Sequence, residues 1–144
     1  MTTDSIKQLV RRIPEELYNH WNLDVADELF APDYIEHAPL PPGFPQGLQA
    51  IKTYVTLLRA AFPDFRYRVE DIIAEGERVA LRLTAEGTQS GEFMGLPATG
   101  KRATWTETHT CRLVDGKLVE HWVDADQLGM LRQLELIPAA ETVA

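Results

Sequence analysis

Apolar residues recur every three or four positions in the first part of the chain, which predicts helices with one buried face. In the first helix, Asp4 or Ser5 can cap the N-terminus, and Pro14 predicts a kink or a break because it lacks a backbone N–H. A short second helix is predicted over 24–30, followed by an extended stretch at 34–37. The apolar positions of the first and third helices are Ile6, Leu9, Val10, Ile13, Leu17, Tyr18 and Trp21, then Ile51, Tyr54, Val55, Leu58 and Phe62.

Two segments are rich in residues that do not build regular elements. The prolines and glycines of 39–47 predict a rigid loop, which suits the rim or lid of a site. The glycines of 90–97 are interpreted as turn residues, because this segment opens no helix and cannot form a phosphate loop. Phe93 and Met94 in that segment are expected to cover the mouth of a pocket.

From Phe65 onward the apolar residues alternate with polar ones, which predicts antiparallel strands. Two strands at 103–114 and 117–125 are joined by Asp115–Gly116, a pair that favours a two-residue hairpin turn. A short helix over 128–134 follows and ends before a proline. Helices followed by a strand meander predict an α+β protein, with a curved antiparallel sheet and helices packed on its concave side.

Length and charge narrow the class of protein. A chain of 144 residues predicts one domain over 1–144, large enough to bury a core and a cavity. The 14 basic residues against 22 acidic ones give a net charge of −8, which argues against a nucleic-acid partner. No stretch is long and apolar enough for a membrane span or a leader, so no membrane association is expected. The single cysteine, Cys111, fits a reducing compartment, and a cytoplasmic location is predicted.

The strand over 103–114 carries different residue types on its two faces. Alternation places four threonines on one face, which suits a solvated surface or pairing with a second copy. The other face resembles the wall of a partly apolar pocket and consists of Trp105, Glu107, His109 and Cys111. In the next strand, the same argument places His121 inside and Trp122 outside. For the other residues of this strand, alternation predicts Val119 and Val123 on the inner face, and Leu118, Glu120 and Asp124 on the outer face.

The titratable inner residues define a candidate site. Glu107, His109 and His121, together with His37, are expected to converge on one cavity and to transfer protons there. The alternative is a structural role, since a strand histidine is more often a hydrogen-bonded core residue than a catalyst. No metal is expected, because the spacing matches no recognised ligand pattern. Nucleophilic catalysis by Cys111 is not expected, because no basic neighbour favours its thiolate.

Several runs resemble a known family when they are taken together. They are GEFMGLPATGKR at 91–102, RLVDGKLVEHW at 112–122, DQLGMLRQL at 126–134, LFAPDY at 29–34 and FPD at 62–64. In combination they resemble the SnoaL-like polyketide cyclases, also called ester cyclases, over about residues 5–138. The resemblance implies the nuclear transport factor 2-like fold, a cone-shaped α+β barrel around a deep pocket. It also implies a homodimer and a reaction that uses no cofactor and no metal.

The resemblance implies a chemistry as well. Cyclases of this family close a polyketide ring by an intramolecular aldol reaction, with a pocket aspartate as acid and base. Val123 occupies the place of that aspartate, and alternation puts Asp124 on the opposite face. His109 and Asp126 keep their family positions and are the predicted catalytic residues, although Asp126 can equally cap the last helix. The predicted substrate-binding residues are His37, Phe93, Met94, Trp105, Glu107 and His121.

The function predicted from the sequence is therefore a cofactor-independent enzyme that acts on a polyketide-like or other hydrophobic carbonyl compound. Asp126 or His109 would remove a proton beside the carbonyl, and nearby donors would stabilise the enolate. One alternative is a non-catalytic module that binds a small hydrophobic molecule. Another is a hydrolase or isomerase on the same fold. A homodimer is expected to form through the threonine face that includes Trp122.

Overall fold

The computed structural model describes residues 1–138. The helices are α1 (Thr3–Arg12), α2 (Asp24–Leu29), α3 (Leu48–Ala61) and α4 (Gln127–Gln133), with a π-helical segment at Ile13–Tyr18. The strands are β1 (Phe30–Glu36), β2 (Arg66–Glu75), β3 (Arg78–Thr88), β4 (Arg102–Val114) and β5 (Lys117–Ala125). Over the described part of the chain, no helix combines the length and the apolar composition needed to cross a membrane.

The five strands form one sheet in the order β1-β5-β4-β3-β2. β2 to β5 pair antiparallel with their neighbours in sequence, as the alternation predicted. β1 pairs parallel with β5 at the edge, so the sheet is not purely antiparallel as expected. Along β4, buried and exposed residues alternate, and the buried face packs against the helices to form the core. The predicted α+β class, with helices covering one face of a curved sheet, is confirmed.

The N-terminal region departs from the predicted boundaries in three places. Thr2, rather than Asp4 or Ser5, caps α1, because its hydroxyl accepts the backbone N–H of Ser5 at 3.1 Å. At Pro14 the helix continues as a π-helical turn instead of breaking, and the N–H of residue 19 donates to the Pro14 carbonyl at 3.0 Å. The second helix ends at Leu29, because residue 30 already pairs with β5.

A register shift in the last hairpin changes which side chains face the core. Between Arg112 and Leu113 the pairing of β4 with β5 slips by one residue, which leaves Val119 as an extra residue in β5. Leu118 and His121 are therefore both buried on the inner face. The prediction that Leu118 lies outside was wrong, because simple alternation holds only where the ladder is uninterrupted.

Candidate active site

A cavity of about 750 Å³ lies between the inner face of the sheet and the helices. Its wall is largely aromatic and aliphatic, and all four tyrosines of the chain contribute to it. Among residues 1–138, no lysine or arginine lines it. Apart from the tyrosines, the ionisable and amide side chains on its wall are Glu36, Glu107, His109, His121, Asp124 and Gln127. The cavity is therefore apolar overall but carries a concentrated set of acid–base groups on one side.

Glu107 is buried in the wall and accepts three hydrogen bonds. The hydroxyl of Tyr67 donates to its Oε1 at 2.7 Å, and the indole N–H of Trp105 donates to its Oε2 at 2.7 Å. Nε2 of His109 lies 2.7 Å from the same Oε1. Alternation along β4 puts these three β4 side chains on one face, and Tyr67 reaches them from β2.

His109 connects Glu107 to a longer row of hydrogen-bonded side chains. Its Nδ1 lies 2.8 Å from Nε2 of His121 on β5. Nδ1 of His121 in turn lies 2.7 and 2.8 Å from the two carboxylate oxygens of Glu36. Glu36 comes opposite His121 because β1 pairs parallel with β5 in this register. We refer to Glu107, His109, His121 and Glu36 as the carboxylate–histidine network.

The geometry of this network fixes how many protons it holds. Each end is a carboxylate, so the ring nitrogens facing Glu107 and Glu36 must be N–H donors. If both histidines were neutral, the two nitrogens facing each other at 2.8 Å would both be bare acceptors, which is repulsive. A third proton between the rings removes that conflict. With both carboxylates ionised, the network therefore holds three protons on two imidazoles and carries one imidazolium.

Of the two rings, His121 is the less favourable site for the positive charge. Burial lowers the pKa of His121, and the charge of His109 lowers it further, although the hydrogen bond to Glu36 opposes both effects. His121 is therefore the neutral acceptor in the contact between the rings. Burial alone would raise the pKa of Glu107, but bonding to His109, Tyr67 and Trp105 brings it below its usual value.

The pKa of Glu36 is set by a similar balance between burial and hydrogen bonding. Burial alone would raise the pKa of Glu36, but the hydrogen bond and charge of His121 outweigh it, with smaller contributions from the N–H of Ala38 and the hydroxyl of Tyr34. The net result is a pKa below the usual value. Both carboxylates of the network are thus ionised at neutral pH, which is the premise of the proton count.

Tyr54 presents a hydroxyl without a partner to the cavity. Among residues 1–138, no hydrogen bond to this hydroxyl is formed, while its ring packs edge-on against Phe93 at 6.0 Å. Burial raises the pKa of Tyr54, and the charges of Glu107 and Glu36 raise it further. The phenol therefore stays protonated and can donate to a ligand oxygen.

The structure brings together most of the predicted pocket residues. Trp105, Phe93 and Met94 line the cavity alongside the network, and the proline-rich loop borders it through residues 39–41. Burial raises the pKa of the Cys111 thiol to about 12, which keeps it in the unreactive thiol form.

His37 does not line the cavity, in contrast to the prediction. Successive strand side chains point to opposite faces, so the residue after Glu36 turns outward. Its ring stacks on Trp122 at 4.7 Å, and its Nε2 lies 2.7 Å from a carboxylate oxygen of Glu120. Trp122 lies on the outer face opposite Thr110, as expected. His37 thus belongs to a surface cluster and is separated from the network by the sheet.

The aspartates near the end of β5 lie apart from the network. Asp126 is exposed and caps α4, because its Oδ1 accepts the N–H of Gly129 at 2.9 Å. It does not line the cavity, so its capping role accounts for its position. Val123 faces the cavity opposite His109, whereas Asp124 is exposed, pairs with Thr108 and borders the cavity edge. Within the described residues, no aspartate therefore reaches the histidines.

Sequence reasoning did not single out Glu36, Tyr34, Tyr54 or Tyr67 as site residues. A local signal existed for the first two, because Tyr34 and Glu36 share one face of a strand. The decisive contact joins Glu36 to His121 across 85 positions and depends on the parallel pairing of β1. That pairing has no signature in the local pattern of residues.

Comparison with known proteins agrees with this architecture. The family described as SnoaL-like polyketide cyclase matches residues 8–134. Aklanonic acid methyl ester cyclase DnrD of Streptomyces peucetius is 36% identical over 132 residues, which cover 88% of each chain. Nogalonic acid methyl ester cyclase of Streptomyces nogalater is 34% identical over 119 residues, covering 81% of this chain and 88% of that one. The structure of TsrD from Streptomyces laurentii matches with a TM-score of 0.86 at 25% identity, covering 95% of this chain and 99% of that one. The match spans nearly every element that builds the cavity, and the chain belongs to the SnoaL-like polyketide cyclase family.

Proposed function

We propose that this protein is a cofactor-independent cyclase that closes a ring in a hydrophobic polyketide by intramolecular aldol addition. The observation that carries the proposal is the carboxylate–histidine network, buried in the wall of a 750 Å³ apolar cavity. An aldol addition needs a base beside a carbonyl and donors near the oxygens that gain charge. The network supplies the acid–base groups, and the free hydroxyl of Tyr54 supplies a donor.

The charge of the cavity favours a neutral substrate. Glu36 and Glu107 are ionised, and the network carries a net charge of −1 after the imidazolium is counted. In the part of the chain that the structure describes, no lysine or arginine lines the cavity to pair with a further anion. A substrate that brings its own carboxylate would be buried unpaired beside like charges, which is costly. A methyl ester removes that charge, and DnrD and its nogalonic acid counterpart are both named as methyl ester cyclases.

The test is ring closure by the purified protein. Aklanonic acid methyl ester, the compound in the name of DnrD, and the corresponding free acid are incubated separately with the protein, and product is followed by chromatography and absorbance. We expect saturable turnover of the ester, with kcat/KM at least about tenfold lower for the acid. Saturable binding without turnover would favour the non-catalytic binding module. Equal turnover of acid and ester would contradict the charge argument.

Two copies of the chain are also proposed to pair through the outer face of β4. Thr104, Thr106 and Thr108 are exposed there and present a flat β-branched surface. Pairing of this face with itself would produce a two-fold dimer and leave both cavities on the far side of each sheet.

A further inference from the structure

We propose that Glu107 is the general base of the cyclisation, and that Glu36, acting through His121, is a positioning residue that holds His109 as a cation beside it. This proposal rests on the proposed function, because it names the group that takes the substrate's proton. It assigns different roles to two buried carboxylates in the same cavity wall. The assignment follows from which oxygen atoms are still free to accept a proton.

The two carboxylates differ in their unused acceptor capacity. A carboxylate offers about four lone-pair positions for hydrogen bonds. Oε1 of Glu36 faces His121 and the hydroxyl of Tyr34, and its Oε2 faces His121 and the N–H of Ala38. Each oxygen of Glu36 thus has two polar hydrogens directed at it, although the single Nδ1–H of His121 is shared between the two oxygens. Glu107 receives two bonds at Oε1 but only the indole N–H of Trp105 at Oε2.

Oε2 of Glu107 is therefore the carboxylate oxygen with an open position. Glu107 lines the cavity, as does Trp105, whose indole N–H donates to this oxygen. The ring nitrogens offer no alternative, because all four of those in His109 and His121 are bonded within the network. Among the basic atoms of the network, Oε2 of Glu107 therefore offers a substrate carbon the least occupied lone-pair position.

Glu36 lies at the opposite end of the carboxylate–histidine network and orients His121. Its negative charge orients the N–H of His121 toward itself, so that the bare Nε2 of His121 faces His109. His109 can then use both N–H groups, one toward His121 and one toward Glu107. The titratable groups that line the cavity are Tyr18, Tyr34, Glu36, Tyr54, Tyr67, Glu107, His109, His121 and Asp124. The cation keeps Glu107 ionised in an apolar wall, where an isolated carboxylate would take up a proton.

The chemical step balances within the substrate and Glu107. Oε2 of Glu107 takes a proton from a carbon between two carbonyls, and the C–H electron pair becomes the enolate. The enolate carbon bonds to the second carbonyl carbon, whose π pair moves to its oxygen. Glu107 returns the proton to that oxygen, which gives the hydroxyl of the product. The network ends each turnover in its starting state and needs no co-reactant.

The kinetic test compares isosteric variants. Glu107→Gln and Glu36→Gln are measured beside Glu120→Gln, a matched control on the outer face of β5 that bonds to His37 and Arg112. We expect kcat to fall by about 100-fold or more in Glu107→Gln, because the basic lone pair is lost. Glu36→Gln should lower kcat about tenfold while KM changes less than about threefold, as expected for a positioning residue. Glu120→Gln should keep wild-type values.

A spectroscopic measurement tests the positioning role without substrate. Correlation spectra of protein labelled with ¹⁵N-histidine separate an imidazolium from a neutral ring. At pH 7.5 His109 should be doubly protonated and His121 singly protonated at Nδ1, and Glu36→Gln should convert His109 to the neutral form. A neutral His109 in the wild type, or a His109 signal unchanged by Glu36→Gln, would overturn the positioning role.

The outcomes separate this proposal from the proposed function. If the wild type turns over the ester but Glu107→Gln keeps its kcat, the base assignment is wrong and the cyclase function stands. If Glu107→Gln does not fold, Glu107→Asp, which keeps the charge but withdraws it by one methylene, must show the loss of kcat instead. No turnover by the wild type would overturn the cyclase function and the role of Glu107 with it, while the His109 spectrum still decides the role of Glu36.

Discussion

Removing the hydroxyl of Tyr67 tests quantitatively how much the network stabilises the folded state. This hydroxyl donates to Oε1 of Glu107 at 2.7 Å, and both side chains are more than 90% buried. Tyr67→Phe removes this single donor and leaves the ring in place. Glu107 then keeps only its bonds to Trp105 and His109.

The magnitude follows from the charge of the acceptor and from burial. A hydrogen bond to a charged group contributes about 1.5–3 kcal/mol, and a buried acceptor that loses a donor also loses solvation. We therefore expect Tyr67→Phe to lower the free energy of unfolding by about 2 kcal/mol. Tyr34→Phe is the matched control, because Tyr34 is equally buried and also donates to a network carboxylate, that of Glu36, but at 3.3 Å. The free energy of unfolding of Tyr34→Phe should fall by less than about 1 kcal/mol.

Both variants are measured by urea unfolding at one fixed protein concentration, because an oligomer makes stability depend on concentration. The slope of the transition should match that of the wild type. A cost for Tyr67→Phe equal to or smaller than that of Tyr34→Phe would refute the reasoning, since it would show that the short bond to Glu107 does not stabilise the folded state.

Other perturbations address the remaining parts of the structure. The folded-state pKa of His121 lies below its usual value of about 6.5, so the stability that depends on neutral His121 should fall on acidification below that pH; melting temperatures that do not fall between pH 6 and 5 would contradict this. Asp126→Asn should change the free energy of unfolding by less than about 1 kcal/mol and leave kcat unchanged, because asparagine also caps helices; loss of turnover would restore Asp126 as a catalytic candidate. Thr106→Arg should give a monomer in light scattering, because it would bury an unpaired charge in the proposed dimer; a dimeric variant would exclude this face.

The parts of the fold that the sequence predicts well are those set by local periodicity. The amphipathic pattern of α3 and the alternation of β4 depend on neighbouring residues only, so both elements were predicted close to their observed bounds. β1 was predicted as a short extended stretch because its partner, β5, lies about 85 residues away. The bulge at Val119 was missed for a related reason, since an extra residue in a ladder is defined only by the partner strand.

The same distinction applies to the site. Trp105, Glu107 and His109 were predicted to share a face because they lie two residues apart on one strand, and the structure joins them through hydrogen bonds. Glu36 could not be assigned to the site, because only the parallel pairing of β1 brings it to His121. The side chain of Asp126 could serve as a catalytic base or as a helix cap, and its sequence position fits both roles. The structure favours the cap, because Asp126 bonds to the N–H of Gly129 and does not line the cavity.

Proton abstraction at the substrate carbon tests the central claim most directly. A polyketide methyl ester whose electrophilic carbonyl has been reduced cannot close the ring, so exchange of its acidic C–H for deuterium in D₂O reports the base alone. We predict that the wild type accelerates this exchange above the rate in buffer, whereas Glu107→Gln binds the ester and leaves exchange at the buffer rate. Equal acceleration by the wild type and Glu107→Gln would contradict the account, because the base would then lie elsewhere in the protein.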